Sequence, residues 1–197
     1  MKYCSQCSGP LVQQIPPGHD RDRHLCDRCG QIHYQNPRIV AGTLPVHRGR
    51  VLLCRRAIEP RYGRWTLPAG FLENGETVQD GARRETWEEA LAQVQIHHLY
   101  TLFNLPQIAQ VHLFFRADLS SERFGAGVES LEAKLFSEQE IPWNDLAFPV
   151  VERTLRHYFE DRQRGSYPLR IEDLTWSEDR QLQVTPARLD TPPLQIP

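Results

Sequence analysis

Three glutamates, Glu85, Glu88 and Glu89, stand close together in the segment RRETWEEA. The pattern from Thr77 to about Ala92 predicts a helix with Thr77 as its N-cap, and residues three and four apart in a helix share one face. Like charges at that spacing destabilise a helix by about 0.2–0.5 kcal/mol per pair. A solvated surface is the usual meaning of a glutamate run. Hard divalent cations such as Mg²⁺ or Mn²⁺ would remove the repulsion, because they favour carboxylate oxygens.

The loop before this helix is spaced by glycines, at Gly70, Gly75 and Gly81. Such glycines permit a tight path from a strand through a loop into a helix. Glu73 and Glu76 add negative charge to the same loop. A solvated helix face does not account for this loop, so the sequence favours a divalent-metal site at the acidic face.

A second candidate metal site is formed by Cys4, Cys7, Cys26 and Cys29, which have the spacing C-x2-C-x18-C-x2-C. Two such knuckles are a strong signal for Zn²⁺. A segment of roughly 30 residues is too small to fold on a hydrophobic core alone, and structural zinc gives an apparent ~10–16 kcal/mol at neutral pH. Because four thiolates complete the coordination shell, we expect this zinc to be structural rather than catalytic.

A disulfide pair or a redox CxxC motif is the alternative for these four cysteines. We expect His19 and His24, in the loop between the knuckles, to be solvated, because the thiolates already complete the shell. The fifth cysteine, Cys54 in VLLCRR, is expected to be a small buried core residue.

The 197 residues allow one substantial domain with a small appendage, and 40% hydrophobic with 24% charged residues is an ordinary globular composition. A net charge of −2 gives no global attraction to nucleic acid or membrane. No apolar run approaches the ~18 residues of a membrane span, and MKYCSQCSGP lacks the apolar core of a signal peptide. We therefore predict a cytoplasmic protein without a membrane partner.

The segments after the four paired cysteines alternate between strand and helix patterns. IVAGTLPV and RVLLCRR flank His47-Arg48-Gly49 and predict a β-hairpin, whose first strand Pro45 should place at a sheet edge or next to a bulge. HHLYTLFNL, QVHLFFRADL and SLEAKLF predict three further strands, the second of them partly buried on both faces. FPVVERTLRHYFEDRQRG predicts an amphipathic helix, whose apolar stripe consists of Val151, Leu155, Tyr158 and Phe159.

After Gly165 the sequence becomes Pro-rich and aperiodic, which predicts an extended or disordered tail, docked through Trp176 if it docks at all. Strands mixed with two helices after a zinc module predict an α/β domain with a mixed sheet. The predicted division is a zinc ribbon at 1–34, an α/β domain at 35–164 and the tail at 165–197.

The segment that begins at Gly70 resembles the signature of the Nudix hydrolases, G-x5-E-x7-R-E-U-x-E-E-x-G-U, in which U is aliphatic. Here Gly70, Glu76, Arg84-Glu85 and Glu88-Glu89 match in type and spacing. Thr86 stands at an aliphatic position, Leu91 replaces the final glycine, and Ala92 occupies the last aliphatic position. The departures affect no metal-ligand position.

This resemblance implies a Nudix α/β/α sandwich and hydrolysis of a diphosphate linked to a nucleoside. It also implies that Glu85, Glu88 and Glu89 bind catalytic Mg²⁺ or Mn²⁺ and that one of them is the general base. Family members often use a further glutamate from a later strand or loop. We expect Glu129 to be that fourth ligand, with Glu132 as its competitor.

The zinc ribbon in front of the signature reduces the number of substrate classes that the resemblance implies. NADH pyrophosphatases share that arrangement but carry Ser-Gln-Pro-Trp-Pro-Phe-Pro after the signature, where this chain has LYTLFNLPQIAQVHLFF. The chain resembles ribbon-bearing ADP-ribose and FAD pyrophosphatases more closely, through YQNP, VLLCRR, WTLPAGFLE, ETWEEA and ESLEAKLFSEQEIPWNDLAF, over roughly Cys4 to Phe159. The expected products are AMP with ribose 5-phosphate or with FMN.

The candidates to bind the substrate are three aromatic residues for stacking and one arginine for phosphate: Trp65, Phe71, Phe103 and Arg56. For such aromatic residues a place in the core is the more common role. An arginine at the end of a strand is also a common surface residue.

Three other functions remain open at the level of the sequence. They are NADH pyrophosphatase activity, removal of an NAD cap from RNA, and non-hydrolytic nucleotide sensing that controls a partner. The intact glutamates argue against a sensor, and the small basic excess of the ribbon argues against an RNA partner. Nudix enzymes are often dimers, so the resemblance also implies a possible homodimer.

Overall fold

The computed structural model describes residues 1–187, and the predicted tail residues beyond them lie outside this range. The chain divides into two compact units at Pro37 and Arg38. The first unit holds a small antiparallel sheet in the order β1-β2-β3. Its strands are β1 (Leu11–Gln14), β2 (Arg23–Cys26) and β3 (Ile32–His33).

The second unit is built on one mixed sheet in the order β10-β5-β4-β9-β8-β11-β12, with β6 paired to β5 and β7 paired to β4. The β4–β9 and β8–β11 pairs are parallel, and the other pairs are antiparallel. The strands are β4 (Arg38–His47), β5 (Arg50–Arg56), β6 (Trp65–Thr66), β7 (Ala69–Phe71), β8 (Val94–Leu105), β9 (Gln110–Leu119), β10 (Ser130–Phe136), β11 (Arg170–Trp176) and β12 (Leu182–Pro186).

Two helices cover opposite faces of this sheet, as the predicted sandwich requires. They are α1 (Val78–Ala90) and α2 (Pro149–Arg164). Along β4, Thr43 bonds a side chain of α1, whereas the next residue, Leu44, belongs to the core cluster that contains α2. Successive strand residues point to opposite faces, so this alternation places one helix on each side. Short 3-10 turns occur at Pro106–Ile108, Glu138–Glu140 and Trp143–Asp145.

The predicted hairpin forms between β4 and β5, with His47 paired to Arg50 across the two-residue turn Arg48-Gly49. Both turn residues have positive φ, 48° and 76°, as the tight turn of a hairpin requires. The expectation that Pro45 marks an edge strand or a bulge is wrong, because β4 lies inside the sheet and pairs with β9 through Pro45 without a register shift. On its other side β4 changes partner from β7 to β5 near Pro45, so no ladder hydrogen bond is lost there.

Helix α1 begins as the sequence predicts, because the hydroxyl of Thr77 accepts a hydrogen bond from the Asp80 N–H at 3.2 Å. Thr86, which stands at an aliphatic signature position, is fully buried and its hydroxyl lies 2.6 Å from that of Thr43. The two hydroxyls satisfy each other, so a polar residue is accommodated under the helix. Leu91, which replaces the final glycine, itself adopts the left-handed conformation at φ 48° and ends the helix.

Helix α2 buries the predicted apolar stripe, since Val151, Leu155, Tyr158 and Phe159 are each at most 2% exposed. The helix ends at Gly165, which has φ 68° and caps the last turn. These side chains form the largest core cluster together with residues of β4, β5 and β8. No helix among the described residues is long and apolar enough to cross a membrane.

The segment after Gly165 differs from the extended or disordered tail that its sequence predicts. Strand β11 pairs in parallel with β8, and β12 pairs with β11, so both strands extend the central sheet. Their core contact is provided by Leu174, which is fully buried, and by Glu172, which is 6% exposed. A buried charged residue breaks the apolar alternation that normally reveals a strand, and its ion-pair partners on α2 are distant in sequence.

Candidate active site and metal centres

The signature segment forms strand β7, a loop and helix α1. The helix packs against the strand, so that its acidic side chains lie next to β7. Strand β7 contributes Gly70, and a Cβ built on Gly70 would overlap the carboxylate of Glu85 on α1. A Cβ on Gly81 would approach Leu72 Cδ1 to 2.7 Å and Glu76 Oε1 to 2.9 Å. At both glycines an added Cβ would therefore force the end of a neighbouring side chain to move, because the loop packs closely against the helix.

Arg84 organises the acidic face of α1. Its guanidinium donates to both carboxylate oxygens of Glu76, at 2.7 and 3.0 Å, and to Glu85 and Glu88 at 2.7 and 3.0 Å. A further donation at 3.2 Å reaches the carbonyl oxygen of Phe71 in β7. The hydrogen bonds from Arg84 lower the pKa of Glu76 to about 2. One arginine thus fixes three carboxylates and the adjoining strand.

Glu89 is the buried member of the acidic group, with 5% of its surface exposed. Its carboxylate accepts a hydrogen bond from the Ala69 N–H at 3.1 Å. The pKa of Glu89 is raised to about 8, mainly by burial and also by the nearby charges of Glu85 and Glu129, while the Ala69 hydrogen bond and the positive charge of Arg56 oppose the rise. Burial likewise raises the pKa of Glu85, to which Glu88 and Glu129 contribute.

Glu129 approaches this group through a loop that is docked on the end of α1. The backbone N–H of Gly125 donates to the Ala90 carbonyl at 2.8 Å, and that of Gly127 donates to the Glu89 carbonyl at 3.0 Å. A Cβ on Gly127 would overlap the Glu88 carbonyl oxygen, so the loop can lie this close only with glycine there. Its competitor, Glu132, lies in β10 opposite Arg55 and does not line the pocket.

One large pocket joins these elements, with a volume of about 1490 Å³. Its charged part is lined by the glutamates of α1, by Glu129 and by the arginines Arg38, Arg56 and Arg84. The predicted phosphate contact, Arg56, is 9% exposed, and its Nε donates to the Pro60 carbonyl at 2.9 Å while the guanidinium stacks over the Phe148 ring at 5.2 Å. Negative and positive side chains thus converge as a metal-bound diphosphate would require.

Of the three predicted aromatic contacts, the structure brings only Phe71 to the pocket, where it is 46% exposed beneath the Arg38 guanidinium at 4.6 Å. Trp65 packs edge-on against Phe136 with ring centroids 4.8 Å apart, and Phe103 is fully buried. Neither Trp65 nor Phe103 lines the pocket, so both serve the core.

Several pocket residues were missed by sequence reasoning, and they are Trp87, His112, Phe148 and Trp176. Trp87 lies inside the signature helix and is half exposed, but it is only one or two residues from each glutamate, so helical spacing does not place it on their face. The other three come from β9, the start of α2 and β11, which are far apart in sequence. No local signal in the sequence connects them.

The acidic residues fit a hard divalent cation by the chemistry of their donors, which are carboxylate oxygens. Glu89 is buried beside other carboxylates and forms no ion pair among the described residues. A divalent cation would offset that charge. Arg84 forms ion pairs with Glu85 and Glu88. Within residues 1–187, the carboxylate oxygens of these glutamates do not form a group of three or more ligand atoms that all lie within 4.8 Å of one another.

The four ribbon thiols do meet that spacing, since the sulfurs of Cys4, Cys7, Cys26 and Cys29 all lie within 4.8 Å of one another. Within the group, the Cys7 and Cys26 sulfurs are 3.4 Å apart. A hydrogen bond from the Cys29 N–H is the main cause that lowers the pKa of Cys26, to about 6. The group is a closed set of four sulfur donors, which fits structural Zn²⁺. His33 lies 3.2 Å from the Cys4 sulfur through its Nε2.

Two protein-family models match this chain. The family model for the NUDIX domain matches residues 36–159, and the model for the Nudix N-terminal zinc ribbon matches residues 2–35. A crystal structure of a NUDIX hydrolase from Nitrosomonas europaea is 51% identical, with a TM-score of 0.83, over 88% of this chain and 99% of that one.

Two curated relatives are named for different substrates. NAD-capped RNA hydrolase NudC from Chromobacterium violaceum is 37% identical over a matched segment that covers 48% of this chain and 34% of that relative. ADP-ribose pyrophosphatase from Methanocaldococcus jannaschii is 26% identical over 55% of this chain and 67% of its own length. The chain spans roughly a third to two thirds of the length of the curated relatives that it matches first.

Proposed function

Because the chain belongs to the Nudix hydrolase family and carries the family's N-terminal zinc ribbon, we propose that it hydrolyses the diphosphate of ADP-ribose or FAD. The products are AMP together with ribose 5-phosphate or FMN. The observation that carries this proposal is the convergence of Glu85, Glu88, Glu89 and Glu129 on one large pocket that also contains arginines.

In the proposed reaction the glutamates would hold the catalytic cations, and Arg84 orients the carboxylates of Glu85 and Glu88. Bound Mg²⁺ or Mn²⁺ would lower the pKa of a water and offset the charge of the diphosphate. The water oxygen attacks one phosphorus in line, and one of the glutamates accepts its proton. The bond from that phosphorus to the bridging oxygen breaks, so that one water is consumed and two monophosphates leave.

Two residues of the pocket are proposed to hold the substrate beside the reacting diphosphate. Arg56 is positioned for a phosphate oxygen, because it is the buried arginine of the charged region. Phe71 offers an exposed ring for stacking, with the Arg38 guanidinium on its face. Base and aromatic rings stack with about 1–3 kcal/mol per base.

Removal of an NAD cap from RNA is a second candidate, and the similarity to NudC favours it. The same metal-bound glutamates would serve that reaction, since NAD also contains a diphosphate. The absence of Ser-Gln-Pro-Trp-Pro-Phe-Pro after the signature favours ADP-ribose or FAD instead. A homodimer and a cytoplasmic location stay predictions.

A substrate panel tests the proposal. ADP-ribose, FAD, NADH and NAD-capped RNA are incubated with the full chain and either Mg²⁺ or Mn²⁺, and products are identified by mass. We expect cleavage of ADP-ribose or FAD to be fastest, and Glu89→Gln to abolish it. Glu132→Gln is the matched control. Because Glu132 lies outside the pocket, this variant should be as active as the unchanged protein.

Each alternative has its own outcome in this panel. Fastest release of NMN from capped RNA would replace the proposal with cap removal. If all four compounds stay intact with both metals while one binds tightly, the protein is a nucleotide sensor and the enzymatic proposal is wrong.

A further inference from the structure

Strand β11 contributes one residue to the pocket lining, although the strand lies outside the segment matched by the NUDIX family model. This residue is Trp176, the last of β11. Its backbone N–H donates to Gln107 Oε1 at 2.6 Å, and its carbonyl accepts from Gln107 Nε2 at 2.8 Å. The Gln107 side chain therefore continues the β8–β11 ladder and fixes the backbone position of Trp176.

Buried charges hold β11 against α2. The Glu172 carboxylate bonds both Arg153 and His157 of α2, with His157 Nε2 at 2.8 Å. Asp161 of α2, 1% exposed, accepts a hydrogen bond from Arg170. These ion pairs join β11 to α2 at two points along the strand, at Glu172 and at Arg170. Trp176 is thus carried by a rigid element rather than by a loose tail.

The surroundings of Trp176 are apolar, in contrast to the charged region around the glutamates. Leu105 and Val151 are buried in the core cluster against which Phe148 and Trp176 pack, and all four line the pocket. His112 also lines the pocket, and burial lowers the pKa of His112 to about 4, so its imidazole is neutral at neutral pH. The pocket lining thus includes an apolar, partly aromatic group as well as the glutamates, and Arg56 borders this group through its contact with the Phe148 ring.

We infer that Trp176 is a specificity-determining residue that stacks on the planar ring of the substrate, while the diphosphate lies at the glutamates. This inference rests on the proposed function and adds the residue that selects ring-bearing diphosphates. A ring loses little on entering an apolar, aromatic chamber and gains stacking. A sugar or a phosphate gains no stacking there and would lose hydration against apolar side chains.

The test is equilibrium binding of three ligands, AMP, FMN and ribose 5-phosphate, to the full chain by calorimetry. We expect Trp176→Ala to weaken binding of the ring-bearing ligand, AMP or FMN, by roughly tenfold or more, as loss of a stacking partner does. Trp176→Phe should restore most of it. Binding of ribose 5-phosphate should stay within twofold in both variants.

Val184→Ala serves as the matched control, because Val184 faces Leu174 in the β11–β12 pair and packs on the core without lining the pocket. If it weakens AMP or FMN as much as Trp176→Ala does, Trp176 acts only through stability and the inference is wrong. Equal weakening of all three ligands, unchanged binding, or no binding of AMP and FMN to the unchanged protein at millimolar concentration also overturns it.

Hydrolysis separates this inference from the function on which it rests. For a substrate that is cleaved, Trp176→Ala should raise KM with kcat nearly unchanged, because stacking holds ground state and transition state alike. If Trp176→Ala cleaves the substrate with unchanged KM, Trp176 does not determine specificity, and the enzymatic function stands. If the unchanged protein cleaves no substrate but Trp176→Ala selectively loses binding of AMP or FMN, the proposed function is wrong and the role of Trp176 in ring binding stands.

Discussion

Gly70 of β7 lies directly against the carboxylate of Glu85, with no room for a methyl group between them. The first glycine of the signature therefore has a steric role, which is to let the strand approach the acidic face of α1. Because Gly70 does not have positive φ, an alanine there would be strained by contact alone.

Gly70→Ala should displace Glu85 and lower kcat by roughly 100-fold, the usual effect of moving a catalytic group by about 1 Å. The steady-state rate at saturating Mg²⁺ measures this. Gly125→Ala is the control, because a Cβ there meets only Leu91 Cδ1 at an ordinary 3.8 Å. Equal rates for the two variants would show that Glu85 tolerates displacement.

Glu129→Gln should weaken activation by Mg²⁺ at least about tenfold, whereas Glu132→Gln should leave it unchanged. The physical reason is position, since Glu129 lies in the pocket and raises the pKa of Glu89, and Glu132 does neither. The Mg²⁺ concentration for half-maximal rate distinguishes the two. A larger effect of Glu132→Gln would reverse the assignment of the fourth ligand.

His112 should make the protein less stable in acid. Burial lowers its pKa in the folded state from 6.5 to about 4, so the unfolded chain binds a proton more strongly between these values. Stability attributable to His112 is complete above pH 6.5 and falls as the pH drops towards 4, by up to about 3 kcal/mol. Urea unfolding at several pH values should show a flatter profile for His112→Gln than for His98→Gln, which alters an exposed histidine. Parallel profiles would contradict this.

Leu91→Gly should stabilise the folded protein by about 1 kcal/mol, because a residue with a Cβ is strained in the left-handed conformation that ends α1. In a protein of this size the melting temperature would rise by about 2–4 °C. Leu91→Ala keeps the Cβ and should bring no such gain. An increase with alanine as large as with glycine would point to the exposed leucine side chain instead.

Removal of zinc should unfold the ribbon. A purified chain should contain one Zn²⁺, and a strong chelator should abolish amide-exchange protection in residues 1–37, because this unit depends on its metal for stability. Cys26→Ser should give the same result, whereas Cys54→Ala, which alters a buried residue outside the ribbon, should retain the zinc. Full protection after chelation would show that the unit folds without metal.

The features whose physical cause is local could be predicted from the sequence. Cys4, Cys7, Cys26 and Cys29 are paired in short knuckles, and this spacing predicted the close group that the four sulfurs form. The glutamates of α1 share a face because of helical periodicity, and Thr77 caps that helix through a bond to a residue three positions away. The run SLEAKLF likewise predicted a short strand, and β10 has these bounds.

The residues that surround the acidic face could not be predicted from the sequence, because long-range packing selects them. Trp65 and Phe103 resemble Phe71 in sequence, but burial in the core separates them from the pocket. Glu129 and Glu132 are three residues apart, and glycine-mediated docking of one loop on α1 distinguishes them. Trp176 belongs to the pocket because β11 pairs with β8 about 70 residues earlier. Such contacts depend on long-range pairing and buried charges, which no local pattern in the sequence encodes.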